Sequence, residues 1–168
     1  MHDEPLRVCL ARSVELAGVT LRIQDWPGRG RAIVCFALDG DPAPAQAAAF
    51  APRHRVLSLF ARDSVPYQTD ATHLLALLRT FGFLTPLLVG IGRGAIAPLL
   101  VAAWWPDAVG ALLLVAPVHD AEPGLLGRGL RECPPDWDAL LALVRCPVRV
   151  RDEFSEADVE ALLLETAG

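Results

Sequence analysis

Four short, mostly apolar runs constrain the fold of this chain more than any other feature of its sequence. A half-buried strand alternates apolar and polar residues, whereas a strand that is buried on both faces of a parallel sheet is apolar almost throughout. The segments between the runs are long enough to form helices. The pattern therefore predicts an α/β fold in which helices cover both faces of a mostly parallel sheet. The four runs are Ala32–Leu38, Arg55–Phe60, Pro86–Gly90 and Val109–Ala116.

The N-terminal part of the chain predicts an antiparallel hairpin. Ser13–Leu16 and Val19–Asp25 alternate in polarity, and Ala17–Gly18 lies between them as a turn. A weaker last strand is predicted at Cys146–Val150, and Ala121–Pro135 is predicted to be a short loop because it is rich in Gly, Pro and Arg. Helices are predicted over Ala43–Phe50, from a cap at Thr69 or Asp70 to Thr80, over Gly94–Trp104, over Trp137–Val144 and over Ser155–Thr166.

Length, composition and charge exclude several classes of protein. The chain has 168 residues, 53% of them apolar, and a formal net charge of −5, which suits one domain over residues 1–168. Pro, Gly, Arg or Asp cuts every apolar stretch before it reaches the roughly 20 residues that a membrane span needs, so no membrane association is expected. The net negative charge also argues against nucleic-acid binding, which requires a basic face.

Cysteine usage and the first residues favour a cytoplasmic protein. The four cysteines form no C-x-x-C pair, and no histidine lies at metal-ligand spacing from two of them. We therefore expect no metal and no cofactor. Met1–Pro5 is acidic, unlike the basic start of a signal peptide, and reduced thiols are the rule in the cytoplasm. The cysteines are Cys9, Cys35, Cys133 and Cys146.

The segment Gly90-Ile91-Gly92-Arg93-Gly94 resembles the turn that carries the nucleophile in the α/β-hydrolase superfamily. That family has the pattern G-x-S-x-G between a strand and a helix, with the serine exposed at the tip of the turn. The likeness extends over nearly the whole chain. It implies a three-layer α/β-hydrolase-like fold with an N-terminal antiparallel hairpin, no cap domain and the last strand missing. At the position of the serine, however, this chain has Gly92.

Three further departures from the family pattern accompany the glycine. Asp39-Gly40-Asp41 stands where the family usually has His-Gly, and carboxylates there would oppose the stabilisation of an oxyanion. The stretch Arg151–Phe154 leaves the identity of the catalytic acid ambiguous. The sequence ends at Gly168, before the strand that would bring the catalytic histidine. The resemblance thus implies a non-catalytic protein that binds a small molecule or a protein partner.

Candidate site residues follow from this comparison. We predict that Asp39, Gly40, Gly92 and Arg93 bind the ligand, because amide groups at the start of a helix favour anions and an arginine adds positive charge. The alternative for Gly90, Gly92 and Gly94 is that they serve backbone geometry alone. A missing last strand would also leave a sheet edge exposed, which predicts a homo-oligomer or another protein partner.

Two other functions stay open on the sequence. His119 and Asp120 follow an apolar run, at the edge where open α/β sheets bind ligands. They could serve as base and acid in a divergent hydrolase or lyase without a serine nucleophile, or they could be ordinary loop residues. In addition, Gly90-x-Gly92-x-x-Ala95 matches the loose dinucleotide fingerprint, which would make the chain a nucleotide-binding module.

Overall fold

A seven-stranded sheet forms the centre of the molecule, in the order β1-β2-β4-β3-β5-β6-β7. The structure is a computed structural model, and it describes residues 8–37, 42–60, 65–117 and 136–166. The predicted loop at 121–135 lies outside these residues. The strands are β1 Leu10–Leu16, β2 Val19–Trp26, β3 Gly30–Ala37, β4 His54–Phe60, β5 Leu87–Ile91, β6 Ala111–Val115 and β7 Val148–Arg151.

The sheet is mostly parallel, with an antiparallel hairpin at one end, as predicted. β1 pairs antiparallel with β2, and β2 pairs antiparallel with β4, whereas all pairs from β4 to β7 are parallel. Ala17 and Gly18 form the hairpin turn with φ angles of 50° and 79°. Positive φ at both turn residues matches the twist of the flanking strands, so this turn fixes the register of Leu16 against Val19.

In the part of the chain that the structure describes, five α-helices cover the two faces of the sheet. α2, α3 and α4 pack on one face, against side chains such as Val34 and Leu88. α1 and α5 pack on the opposite face, against side chains such as Cys35 and Val89. β5 and β6 are buried along their entire length between these two layers, which explains why their sequences are apolar throughout. The helices are α1 Ala43–Ala47, α2 Tyr67–Thr80, α3 Ile96–Trp104, α4 Trp137–Leu143 and α5 Glu156–Glu165.

The predicted cap of α2 at Thr69 or Asp70 is wrong. The helix begins at Tyr67, directly after Pro66, and no side chain caps it. A proline with extended ψ, here 144°, positions the chain for a helix without a polar cap. Asp70 is instead a buried residue of the first turn, where its negative charge interacts favourably with the helix dipole.

The position of α5 bears on the outer edge of β7. The crossovers from β4 to β5, from β5 to β6 and from β6 to β7 all move in the same direction across the sheet. Their helices, α2, α3 and α4, all lie on one face, called here the first face. α5 follows β7 but packs through Val159 and Leu162 on the opposite face. A right-handed crossover onto the outer side of β7 would place its helix on the first face. Within the described residues, no strand pairs with that outer side.

Candidate functional site

The turn between β5 and α3 has the sharp geometry that its glycines predict. β5 ends at Ile91, and Gly92 adopts a left-handed conformation with φ of 56°. A short 3₁₀ turn, Gly92–Ala95, then leads directly into α3. The predicted helix start at Gly94 therefore lies inside this 3₁₀ turn. The result is a strand–turn–helix in which Gly92 is the first residue beyond the strand.

Close backbone packing requires the two outer glycines of this turn. A Cβ on Gly90 would lie 2.6 Å from the Cα of Ala95, and a Cβ on Gly94 would lie 2.4 Å from the carbonyl oxygen of Phe36. Both distances are far below van der Waals contact and involve backbone atoms, which have little freedom to move. Gly90 and Gly94 therefore let α3 approach β5 and β3 closely.

Gly92 differs from its two neighbouring glycines in its contacts with the described residues. A Cβ built on Gly92 would meet none of their heavy atoms within 4 Å. Gly92 also has a left-handed φ, and for a non-glycine residue that conformation costs about 1–2 kcal/mol. Among the described residues, the tip of the turn at Gly92 is therefore open, whereas the base of the turn is tightly packed.

The tip of the turn lies at the edge where β3, β5 and β6 end. Gly94 packs against Phe36 and Ala37 at the end of β3, and Ala116 follows β6 with a φ of 42°. A positive φ is uncommon for a residue other than glycine, and such strain concentrates at functional edges. The amide of Ala116 donates a hydrogen bond of 2.7 Å to the carbonyl oxygen of Arg151, which joins the ends of β6 and β7.

Not all predicted site residues fall within the described part of the chain. Gly92 and Arg93 are adjacent at the turn, and Arg93 is half-buried there. Asp39 and Gly40 follow β3 in sequence, and His119 and Asp120 follow β6, but all four lie outside the described residues. Their predicted roles therefore remain predictions. Of the predicted site residues, the described part of the chain contains Gly92 and Arg93, which are neighbours in sequence at the turn.

A charged cluster that sequence reasoning missed lies beside the predicted acid stretch. Asp158 of α5 accepts hydrogen bonds of 2.8 Å from Arg149 and of 2.9 and 3.0 Å from Arg151. These hydrogen bonds, first from Arg149 and then from Arg151, lower the pKa of Asp158. The cluster joins α5 to β7. Asp152 and Glu153 follow as exposed residues, so the identity of an acid in this stretch stays open.

Two properties of the described residues bear on other functions. No group of three or more His, Cys, Asp or Glu side chains in this part of the chain has the arrangement to hold a metal ion. Among the same residues, no helix combines the length and the apolar character needed to cross a bilayer.

Comparison with known proteins gives matches at the level of structure. No family model and no curated protein matches the chain. The thioesterase domain from the curacin biosynthetic pathway has a TM-score of 0.60 at 18% identity, over 68% of this chain and 48% of that one. A mutant epoxide hydrolase of Vigna radiata has a TM-score of 0.55 at 18% identity, over 68% and 41%. E-2-(acetamidomethylene)succinate hydrolase has a TM-score of 0.55 at 19% identity, over 63% and 44%.

The chain has an α/β-hydrolase-like fold. Its mostly parallel seven-stranded sheet, with an antiparallel N-terminal hairpin, and its similarity to these structures confirm the predicted fold class. The chain spans less than half the length of each of them, since it covers 48%, 41% and 44% of their chains. Identities of this size establish the hydrolase-like fold alone. Any activity has to be argued from the site itself.

Proposed function

We propose that this chain is a hydrolase-like protein that performs no covalent serine catalysis and binds a small molecule at the tip of the β5–α3 turn. The observation that carries the proposal is Gly92, which has a φ of 56° and, among the described residues, no heavy atom within 4 Å of the place where a Cβ would project. In the α/β-hydrolase fold the nucleophile stands at such a tip. Glycine supplies neither an oxygen nor a sulfur, so an acyl-enzyme cannot form at this position.

The same geometry favours binding at the backbone. Without a side chain at Gly92, a ligand can approach the main chain of the turn more closely than in an enzyme with a serine there. Arg93 adds a positive charge directly beside the tip, and we keep Asp39 and Gly40, which follow β3, as further ligand-binding residues. We therefore expect a small molecule with an anionic or carbonyl group. Open α/β sheets bind ligands at this edge.

The neighbouring structures suggest which compounds to test first. Their names describe a thioesterase, an epoxide hydrolase, an enzyme that degrades N-acyl homoserine lactones and a hydrolase of a substituted succinate. We propose that this chain binds compounds of the same general kinds, namely acyl esters, lactones and small carboxylates, without turning them over.

Cys9 and Cys146 are free thiols, which agrees with our proposal of a cytoplasmic location.

A ligand screen with matched variants tests the binding site. Gly82 is the control, because it also has a positive φ, 68°, and a Cβ built on it would meet no heavy atom within 4 Å, yet it follows α2 rather than β5. Ligands of the wild type are first identified by thermal shift. We expect Gly92→Leu to bind them at least tenfold more weakly and Gly82→Leu to bind them with unchanged affinity. Equal losses in both variants would contradict a site at the turn.

A covalent probe tests the absence of catalysis. We expect a fluorophosphonate to leave the wild type unlabelled, and hydrolysis of activated esters to stay at the level of the Gly92→Ala variant. Labelling of the wild type at the turn would refute the proposal. If the fluorophosphonate labels the Gly92→Ser variant but not the wild type, a general base lies beside the turn and only the nucleophile is absent. Ester hydrolysis that His119→Ala abolishes would favour the divergent enzyme instead.

We also propose that the outer edge of β7 pairs with a strand of a protein partner, first of all a second copy of this chain. The carbonyl oxygens of Pro147 and Arg151 accept hydrogen bonds from the residues beside them at β6. Backbone groups alternate in direction along a parallel strand, so those of Val148 and Val150 face outward. Within the described residues no strand lies beyond β7, and an unpaired strand edge of this kind can accept a further strand.

Light scattering during size-exclusion chromatography tests this edge. We expect the wild type to self-associate with rising concentration and Val150→Pro to stay monomeric, because proline removes the outward amide donor. Val150→Ala is the matched control, since it loses the exposed side chain but keeps the amide. A wild type that stays monomeric at all concentrations would contradict the homo-oligomer.

A further inference from the structure

The edge of the sheet opposite the β5–α3 turn carries a dense group of basic side chains. β3 begins at Gly30 and β4 begins at His54. Around these two strand starts the chain has Arg29, Arg31, Arg53 and Arg55. A chain with a net charge of −5 therefore has a local positive pole at this end, which attracts anions.

Two of these four arginines are engaged inside the fold. Arg31 donates a hydrogen bond through Nε to the carbonyl oxygen of Thr85. Arg55 donates two hydrogen bonds to the carboxylate of Asp25, of 3.0 Å and 2.7 Å. The guanidinium of Arg55 is therefore paired through two atoms, and that of Arg31 is bonded through Nε while its buried Nη1 has no hydrogen-bond partner among the described residues.

Arg29 and Arg53 remain without such partners. Both are exposed, and within the described residues neither side chain takes part in a hydrogen bond, an ion pair or a ring contact. They line the same cleft, a shallow depression that is open to solvent and has a volume of about 590 Å³. The lining residues are Pro27, Gly28, Arg29, Pro52 and Arg53.

The backbone of this cleft is held in place by its own contacts. The amide of Arg29 donates to the carbonyl oxygen of Pro52 at 3.1 Å, and the amide of Gly30 donates to the carbonyl oxygen of Arg53 at 2.8 Å. A Cβ on Gly28 would lie 2.1 Å from the carbonyl oxygen of His54, so the two segments are in direct backbone contact. The backbone that carries the two arginines is thus fixed, so binding has to order only their exposed side chains.

We propose that the cleft between Arg29 and Arg53 binds a phosphoryl group. Two guanidinium groups match the charge of about −1.5 to −2 that a phosphate monoester carries at neutral pH, whereas one carboxylate would neutralise only one of them. Arginine also binds phosphate oxygens in a bidentate manner, which adds geometric selectivity. The cleft lies at the amino ends of the parallel strands and Gly92 at their carboxyl ends. Phosphoryl binding is therefore independent of the function proposed for the turn.

Titrations monitored by ¹H–¹⁵N correlation spectra test this site with defined probes. Inorganic phosphate and pyrophosphate are added to the wild type at low salt, and we expect saturable shifts of the amides of Gly28, Arg29, Gly30, Arg53 and His54. Arg29→Gln and Arg53→Gln should each weaken binding about tenfold, since each removes one charged pair. Arg22→Gln, which removes an exposed arginine of β2, should leave the affinity unchanged.

The outcomes separate a built site from general electrostatics. Arg29→Lys should restore part of the affinity, because charge is kept but the bidentate geometry is lost. The absence of saturable shifts in the wild type would overturn the proposal. So would an equal loss in Arg22→Gln, which would reflect net charge alone, or binding of citrate as tight as that of pyrophosphate. The folding of every variant is read from the same spectra.

Discussion

Arg55 of β4 binds Asp25 of β2 with both sides of its guanidinium group. Nε lies 3.0 Å from Oδ1 and Nη2 lies 2.7 Å from Oδ2. Arg12 of β1 adds a third hydrogen bond of 3.0 Å to the same carboxylate. Because Asp25 is only 1% exposed, one buried carboxylate joins three neighbouring strands of the hairpin end of the sheet.

Removing that carboxylate should destabilise the protein strongly. We expect Asp25→Ala to lower the free energy of unfolding by about 2–4 kcal/mol, because the half-buried guanidinium of Arg55 loses its partner. Arg12→Gln should cost less than about 1 kcal/mol, since half-exposed ion pairs contribute little. Urea denaturation of the two variants measures both values. Equal effects would contradict the central role assigned to Asp25.

The same carboxylate should make stability depend on pH in acid. Burial alone would raise the pKa of Asp25, but hydrogen bonds from Arg55 and Arg12 outweigh it and lower the pKa. The unfolded chain, with a pKa of about 3.9, therefore takes up the proton first. The contribution of Asp25 is present above about pH 4 and is lost as pH falls toward the folded-state pKa.

We expect this loss to appear in urea titrations at pH values from about 5 down to 2.5. Stability should fall less steeply with pH in Asp25→Asn than in the wild type. Asp107→Asn, which removes an exposed carboxylate, is the control and should keep the slope of the wild type. An unchanged slope in Asp25→Asn would contradict the lowered pKa.

The elements of this fold were largely predictable because their signals are local. β5 and β6 are buried throughout, so their apolar sequences alone identify them. The Ala17-Gly18 turn was predictable for a similar reason, since its residue types match its backbone angles. The start of α2 was not, because Pro66 replaces the polar cap that sequence rules seek.

The turn at Gly92 offers a test of packing against backbone strain. Gly94→Ala should destabilise by about 3 kcal/mol, because overpacking against a strand carbonyl forces the backbone to move. Gly92→Ala should cost less, about 1–2 kcal/mol, from its left-handed conformation. Gly18→Ala is the matched control, with a φ of 79° and open space. Thermal unfolding of the three variants measures their order of stability. If Gly92→Ala were the least stable of the three, the expected order would be wrong.

The site was only partly predictable from the sequence, again for a physical reason. The G-x-G-x-G spacing places the sharp turn, because glycines there mark close backbone approach. Contacts between residues far apart in the chain leave no such local pattern. Arg55 binds Asp25 across 30 positions, and Arg29 and Arg53 line one cleft. Only the strand order brings these pairs together.

Cys146 should be an unreactive thiol despite its partial exposure. Burial raises its pKa from 9.0 to about 11, although the charge of Arg31 opposes the shift. At pH 8 the thiolate fraction is then about a hundredfold lower than in the unfolded chain, and the thiolate is the reactive form. We expect iodoacetamide to modify Cys146 at least tenfold more slowly in the native protein than in urea, as read by peptide mass spectrometry. Modification at equal rates in both states would show that the thiol is not shielded. Arg31→Gln should slow the reaction of the native protein further, because it removes the charge that lowers the pKa of Cys146.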